Sequence, residues 1–194
     1  MKKLLSTIVA VTIAFTANAQ VKSNGGYPII PVPFTSVKVV ENSFWGQRLE
    51  ASRKVTIPLA FSKCEESGRY KNFQYAAHPS KDYDVNKLEP FSFDDTDPYK
   101  TIEGASYILQ TYPDAKLKAY IDSVLDIIAT AQEADGYLYT ARTMNPEHPH
   151  SWSGKTRWSK EESLSHELYN LGHMVEGAVA HYQATGSRKF LDIA

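Results

Sequence analysis

The stretch Ser163 to His173 (SLSHELYNLGH) carries two imidazoles, His166 and His173, with Glu167 beside the first and Asn170 between them. Side chains of these types can hold a metal ion, move a proton, or hydrogen-bond a polyol. A zinc-protease helix needs histidines at the first and fifth positions, and here the fifth position is Asn170. Histidines two helical turns apart stand about 10.5 Å apart along the axis, too far to share one ion at zinc–nitrogen distances of about 2 Å. No metal ligand is therefore assigned in this chain. What remains is substrate binding by His166, joined by His173 and Asn170, set against a structural role in which the histidines bond to neighbouring helices.

A helix through this stretch, turning about 100° per residue, places His166, Tyr169, Asn170 and His173 on one face. Leu168, Leu171, Val175, Ala178 and Val179 form an apolar stripe on the opposite face, and Gly177, Ala180 and Ala184 continue the polar face without bulk. This pattern predicts that the aliphatic stripe enters the core and the polar face lines a cavity. Glu167 and Glu176 are expected to make ion pairs with neighbouring helices.

A second cluster, FSFDDTDPYK, sets Asp94, Asp95 and Asp97 just ahead of a helix. Carboxylates there can cap the helix, bind sugar hydroxyls or hold calcium, and the spacing is not that of an EF-hand loop. Capping is the simplest use; Asp95 and Asp97 also stand as candidate sugar ligands. Further on, NPEHPHSWSGKTRW (residues 145–158) brings Trp152 and Trp158 together with His148 and His150. Aromatic faces are what neutral sugars stack on, so this loop is expected to form an ordered rim with both tryptophans as candidate substrate contacts. The aromatic share, 12% of residues, suits that use, although ordinary core packing accounts for most of it.

The elements that must position these groups are helical. Three prolines between Tyr27 and Phe34 exclude a long helix and predict an extended segment over 20–36, with a short strand over Val37–Val40. A helix is predicted from Ser43, its N-cap, to Pro58, which ends or bends it. Residues 63–97 read as a long irregular connection. Helical spacing resumes over Pro98–Thr111 and Asp114–Gln132, joined by a tight break at Tyr112-Pro113-Asp114 that predicts an antiparallel pair. The order helix, tight turn, helix, long loop, helix predicts an all-α toroid of helical hairpins. Ser187 is expected to cap a last helix, and the chain's stop two turns into it leads to the expectation of an N-terminal piece of a longer protein.

Lys2 and Lys3, the apolar run Leu4 to Phe15 and the small residues around Ala17 and Ala19 are those of a signal peptide over 1–19, implying a secreted or periplasmic protein. Nothing later in the chain approaches the roughly 20 apolar residues of a membrane span. Net charge is -1, or -3 once Lys2 and Lys3 leave with the signal, which argues for neither nucleic acid nor an anionic membrane as partner. The single cysteine, Cys64, can form no internal disulfide.

On the blocks FDDTDPYKTIEGASY, AQEADGYLYT and SHELYNLGHMVEGAVAHYQATG, with ENSFWGQRLE and KNFQYAA upstream, the chain resembles the glycoside hydrolase family 127 β-L-arabinofuranosidases over most of 38–194. The resemblance implies an (α/α)6 barrel, of which 37–194 would be the N-terminal part, and an oligosaccharide or polysaccharide substrate. It implies a cysteine nucleophile held in a zinc site of cysteines and a glutamate, a glutamate acid/base, and retention of configuration through a covalent intermediate. All of these groups would lie downstream of Ala194, leaving no catalytic residue and no cofactor in this chain. Cys64, in SKCEESGRY, does not match the nucleophile motif, whereas His166 matches the family's histidine that hydrogen-bonds the arabinofuranose ring. Pro98 and Thr101 depart from the family pattern. The rival readings are another (α/α)6 sugar enzyme, such as an unsaturated-uronide hydrolase or an epimerase, and an inactive sugar-binding fragment.

Overall fold

The computed structural model describes residues 29–89 and 91–194, so the expected signal peptide and part of the extended segment lie outside the described residues. Among the described residues every regular element is helical: α1 (Phe44–Ala51), α2 (Ile57–Glu66), α3 (Arg69–Ala76), α4 (Val85–Leu88), α5 (Thr96–Thr111), α6 (Ala115–Thr130), α7 (Thr140–Thr143), α8 (Glu167–Thr185) and α9 (Lys189–Ile193). Val37–Val40 forms no strand, since no strand lies among the described residues to pair with it.

Ser43 caps α1 as expected, its hydroxyl accepting from the Gly46 N–H at 3.1 Å. The chain does not break at Pro58. A π-helical turn, Ser52–Thr56, joins α1 to α2, and the wider turn makes room ahead of a proline that brings no N–H and whose ring crowds the preceding carbonyls. The expected irregular run over 63–97 is corrected: α2 continues to Glu66, Gly68 at φ 82° turns the chain, and α3 and α4 follow. Local propensity is weak in α3, and tertiary burial forms it, with Phe73 fully buried and Tyr70 and Ala76 nearly so.

Helices α2, α5 and α8 form one layer, and α3, α6 and α9 form a second behind it. The turn at Tyr112–Asp114 is tight, and Asp114 caps α6 through the N–H groups of Lys116 and Leu117. The long partner of α5 is nevertheless α8, not α6. Ser92 meets Asn170, Lys100 meets Tyr169, and Glu103 meets His173 and Glu176, so α5 and α8 run side by side in the same direction. Gly177 allows the close approach: a Cβ there would stand 2.9 Å from the Tyr99 carbonyl oxygen and 3.1 Å from the Phe190 ring. Behind them Ile121, Leu125, Ile128 and Phe190 are fully buried. At about 1.5–3 kcal/mol for each fully buried large apolar side chain, these contacts hold the two layers together.

The predicted core face of α8 holds only in part: Ala178 is buried and Leu171 packs against the core, but the rest of the aliphatic stripe is exposed. Asn170, Met174, Gly177, Ala178 and His181 enter the contact with the rest of the fold, whereas Leu168, Val175, Val179 and Tyr182 are more than 40% exposed. The helix carries two stripes, and the one with small residues wins the contact because only it lets α5 come close. The last helix is also better held than its length implies: Phe190 packs against Tyr99 with ring centroids 5.9 Å apart. Arg188 stands at its N-cap, and the Ser187 hydroxyl accepts from the Lys189 N–H at 3.4 Å.

Candidate functional site

The parallel course of α5 and α8 brings the loop before α5 and the loop before α8 to the same end of the helical layer. Two polar clusters meet there. In the first, Asp95 is buried and accepts from the Thr140 N–H at 2.9 Å, so it does not cap α5 as expected. The Thr140 hydroxyl stands 2.5 Å from Asp95 and 2.6 Å from Glu89. One hydroxyl proton cannot serve two carboxylates, so a second proton must reside on the pair. Burial, and then the Asp95 charge, push Glu89 well above the carboxylate range, and burial pushes Asp95 up to about 6. The Thr140 hydroxyl thus sits between two buried carboxyl groups that hold a proton between them. Asp94 and Asp97 both bind Arg69, at 3.0 and 2.8 Å. The carboxylates of this cluster are thus engaged within the protein, clasping the start of α5 to α3 and to the segment at α7.

The second cluster surrounds His166, which lies at the N-cap of α8 and not inside it, with φ 59°. A residue in that conformation cannot cap the helix with its own side chain, and Glu161 does so instead. Its carboxylate accepts from the backbone N–H groups of Glu167 (2.8 Å) and Leu168 (3.1 Å) and from the Ser165 hydroxyl. Asn170 completes the turn, its buried amide donating to the Ser92 carbonyl at 3.0 Å and the His166 carbonyl at 2.8 Å. The imidazole Nδ1 lies 2.5 Å from the Leu164 carbonyl, which also accepts from the Ser92 hydroxyl at 2.6 Å. A carbonyl only accepts, so Nδ1 carries the proton and Nε2 of the neutral ring is an acceptor. The ring stands half-buried between Phe93 (5.1 Å) and Tyr169 (5.6 Å).

His173 does not converge on His166. Tyr169 lies between them, its ring 4.6 Å from that of His173, while Lys100 reaches the Tyr169 hydroxyl. The Nδ1 of His173 is 3.2 Å from Glu176, and Glu103 joins the pair so that the three ligand-type atoms lie within 4.8 Å of one another. Among the described residues Glu167 has no ion-pair partner, contrary to expectation. It is buried and accepts from the Tyr137 hydroxyl at 2.5 Å and the Trp158 N–H at 2.9 Å. Trp152 and Trp158 both line an open groove of about 700 Å³ beside Leu164. Sequence reasoning missed Glu161, Ser92, Glu89 and Thr140. Only the serine and two phenylalanines of FSF, set in a loop beside acidic residues, offered a signal.

Cys64 is buried, its thiol 3.8 Å from the Thr101 hydroxyl and pushed up in pKa by burial. The one grouping of three ligand-type side chains among the described residues, Glu103, His173 and Glu176, contains no sulfur. The residues of this chain therefore do not fit the cysteine-rich zinc site that the resemblance implies, and no chemical step is derived through zinc.

A layer of parallel helices backed by a second helical layer, with loops gathered at one end around a hydrogen-bonding histidine and aromatic rings, defines a segment of a helical toroid of the kind carbohydrate-active enzymes use. The family described as "Beta-L-arabinofuranosidase, GH127 catalytic domain" matches residues 36–194, and the chain belongs to it. The chain is 42% identical over 102 residues to the non-reducing end β-L-arabinofuranosidase of Bifidobacterium longum, a match covering 53% of this chain and 15% of that protein. Among solved structures, the GH127 β-arabinofuranosidase BT3674 is 77% identical with a TM-score of 0.83, over 87% of this chain and 26% of the other. A GH127 β-L-arabinofuranosidase from Geobacillus stearothermophilus is 32% identical with a TM-score of 0.63, over 78% of this chain and 23% of the other. The chain thus spans about a quarter or less of the length of these relatives.

Proposed function

We propose that the enzyme carrying this chain is an exported glycosidase that removes terminal β-L-arabinofuranose, or a closely related sugar, from plant-type glycans with retention of configuration. This chain supplies the wall that grips the terminal sugar. Export rests on the leader from Lys2 to Ala19, and the sugar on family membership. The substrate is an oligosaccharide or polysaccharide, with neither nucleic acid nor membrane as partner. The nucleophile, the acid/base and any zinc ligands come from parts of the enzyme outside this chain, so these residues alone turn over no substrate. His173, Asn170, Asp95 and Asp97 support the wall from within it.

The observation that carries this reading is the direction of the His166 ring. Its Nδ1–H is spent on the Leu164 carbonyl, which leaves Nε2 of the neutral ring to accept from a sugar hydroxyl. Held by the αL turn and the Glu161 cap, the ring needs no reorganisation on binding. The test is His166→Ala in the whole enzyme. Loss of one such hydrogen bond lowers kcat/KM by about ten- to a hundredfold, corresponding to about 1.5–3 kcal/mol, with metal content and thermal midpoint unchanged. Loss of the acid limb of the pH profile would make His166 a proton donor instead, and unchanged kinetics would return it to a structural role.

A further inference from the structure

The rings around His166 do not end there. His150 and Trp152 lie 5.6 Å apart, Trp152 and Phe91 6.0 Å, Phe91 and Phe93 5.2 Å in a stack, and Phe93 and His166 5.1 Å. They form an unbroken aromatic row from the groove of about 700 Å³ to the imidazole. Small-molecule sites commonly occupy about 300–1,000 Å³. Phe91 is 43% exposed and Trp152 half-buried, so the row presents ring surface along its course.

Trp158 also lines the groove, 47% exposed and with φ 64°. For a bulky side chain that backbone conformation is a strained exception. Among the described residues only Trp158 and His166 adopt positive φ without being glycine, and both flank this region. The strain at Trp158 is held by the buried Glu167, which takes its N–H at 2.9 Å, and by Tyr137, whose ring meets the indole edge-on at 5.5 Å. Glu167 is also the first residue of α8, so one carboxylate ties the placement of Trp158 to the turn that aims His166. Nothing in the core needs an exposed indole in a strained turn.

We infer that the groove lined by Trp152 and Trp158 is a binding site for the sugar residues that follow the scissile bond, with Trp152, at the groove end of the aromatic row, as its stacking surface. The occupant is a neutral oligosaccharide. Ring faces stack on the apolar faces of sugars, and the groove supplies hydroxyl and charged neighbours in Ser163, Lys160 and Glu162 for hydrogen bonds. This inference rests on the proposal that His166 binds the terminal sugar, and it adds which part of the substrate this chain reads beyond that sugar.

The test compares two substrates of the whole enzyme: an oligosaccharide ending in β-L-arabinofuranose, and methyl β-L-arabinofuranoside, whose methyl group cannot reach the groove. Trp152→Ala is expected to raise KM for the oligosaccharide about tenfold and to leave the methyl glycoside within about twofold. Trp158→Leu, which keeps an apolar side chain on the strained turn, is expected to show the same split. Equal losses on both substrates, or no loss on either, overturn the site, as does failure of the oligosaccharide to perturb indole fluorescence. His166→Ala, run in parallel, separates the two ideas. It weakens both substrates if the terminal-sugar reading holds and leaves both untouched if that reading is wrong, whatever the tryptophan variants do.

Discussion

The loops FDDTD and SHELYN look alike as sequences, each rich in hydrogen-bonding side chains just ahead of a long helix, yet they finish in opposite circumstances. Asp94 and Asp95 are 1% exposed, with their oxygens turned to Arg69, Thr140 and the backbone. His166 spends one nitrogen on the backbone, and its half-buried ring has a second nitrogen to offer a ligand. The contrast teaches that a polar residue near a helix start is a binding candidate only when its own fold leaves part of its bonding unmet. The spent carboxylate cluster holds the frame, and one partly spent residue is left for a ligand.

The largest effect that would test this contrast is in the clasp. Thr140→Val removes the hydroxyl between Glu89 and Asp95 and leaves two buried carboxyls facing each other. We expect a loss of about 3–5 kcal/mol in unfolding free energy by chemical denaturation. His166→Ala should cost almost none of that stability. A variant of Thr140 that is as stable as the parent would mean that the clasp is not a frame at all.

The clasp also carries a pH signature. Burial raises the folded-state pKa of Asp95 from the ordinary 3.8 to about 6, so the folded state binds its proton more tightly than the unfolded chain. That stabilising contribution is fully present below pH 3.8 and is lost as pH rises through about 6. Asp94, raised to about 6 because burial outweighs its bond to Arg69, adds in the same direction. Glu89→Gln removes the neighbouring acid and should flatten part of this slope, read as thermal midpoints between pH 4 and 7. An unchanged slope would show that the pair does not share a proton.

Smaller effects separate the packing that brings the two clusters together from the clusters themselves. Gly177→Ala places a methyl 2.9 Å from the Tyr99 carbonyl and 3.1 Å from the Phe190 ring, so α5 and α8 must part. The expected cost is about 1–3 kcal/mol, despite alanine's better helix propensity, and kcat/KM should fall as the His166 turn shifts against Ser92. Asp114→Ala, at the far end of α5 and α6, removes only the cap of α6. It should cost about 1 kcal/mol in a melt and nothing in kcat/KM, and any loss of activity there would mean that the rim is less insulated from the frame than the geometry implies.

Helix existence was legible over α5, α6 and α8, because apolar spacing at 3.6 residues is written locally, and so was the cap at Ser43. The family was legible in the order of its blocks, and residues 36–194 match it. Other features had no local record. Helix α3 exists because Phe73 finds a pocket made by distant residues, and Leu168, Val175 and Val179 of α8 stay exposed while the stripe that holds Gly177 packs against α5. The role of Asp95 turned on Thr140, 45 positions away, and the aim of the His166 ring on the Leu164 carbonyl, which Ser92 braces from 72 positions away. The sequence by itself determined which side chains were available for chemistry and which segments would coil. Only the tertiary structure decided which of those side chains were already satisfied, because a hydrogen bond is consumed by whichever partner packing brings within 3 Å, and that partner is seldom a neighbour along the chain.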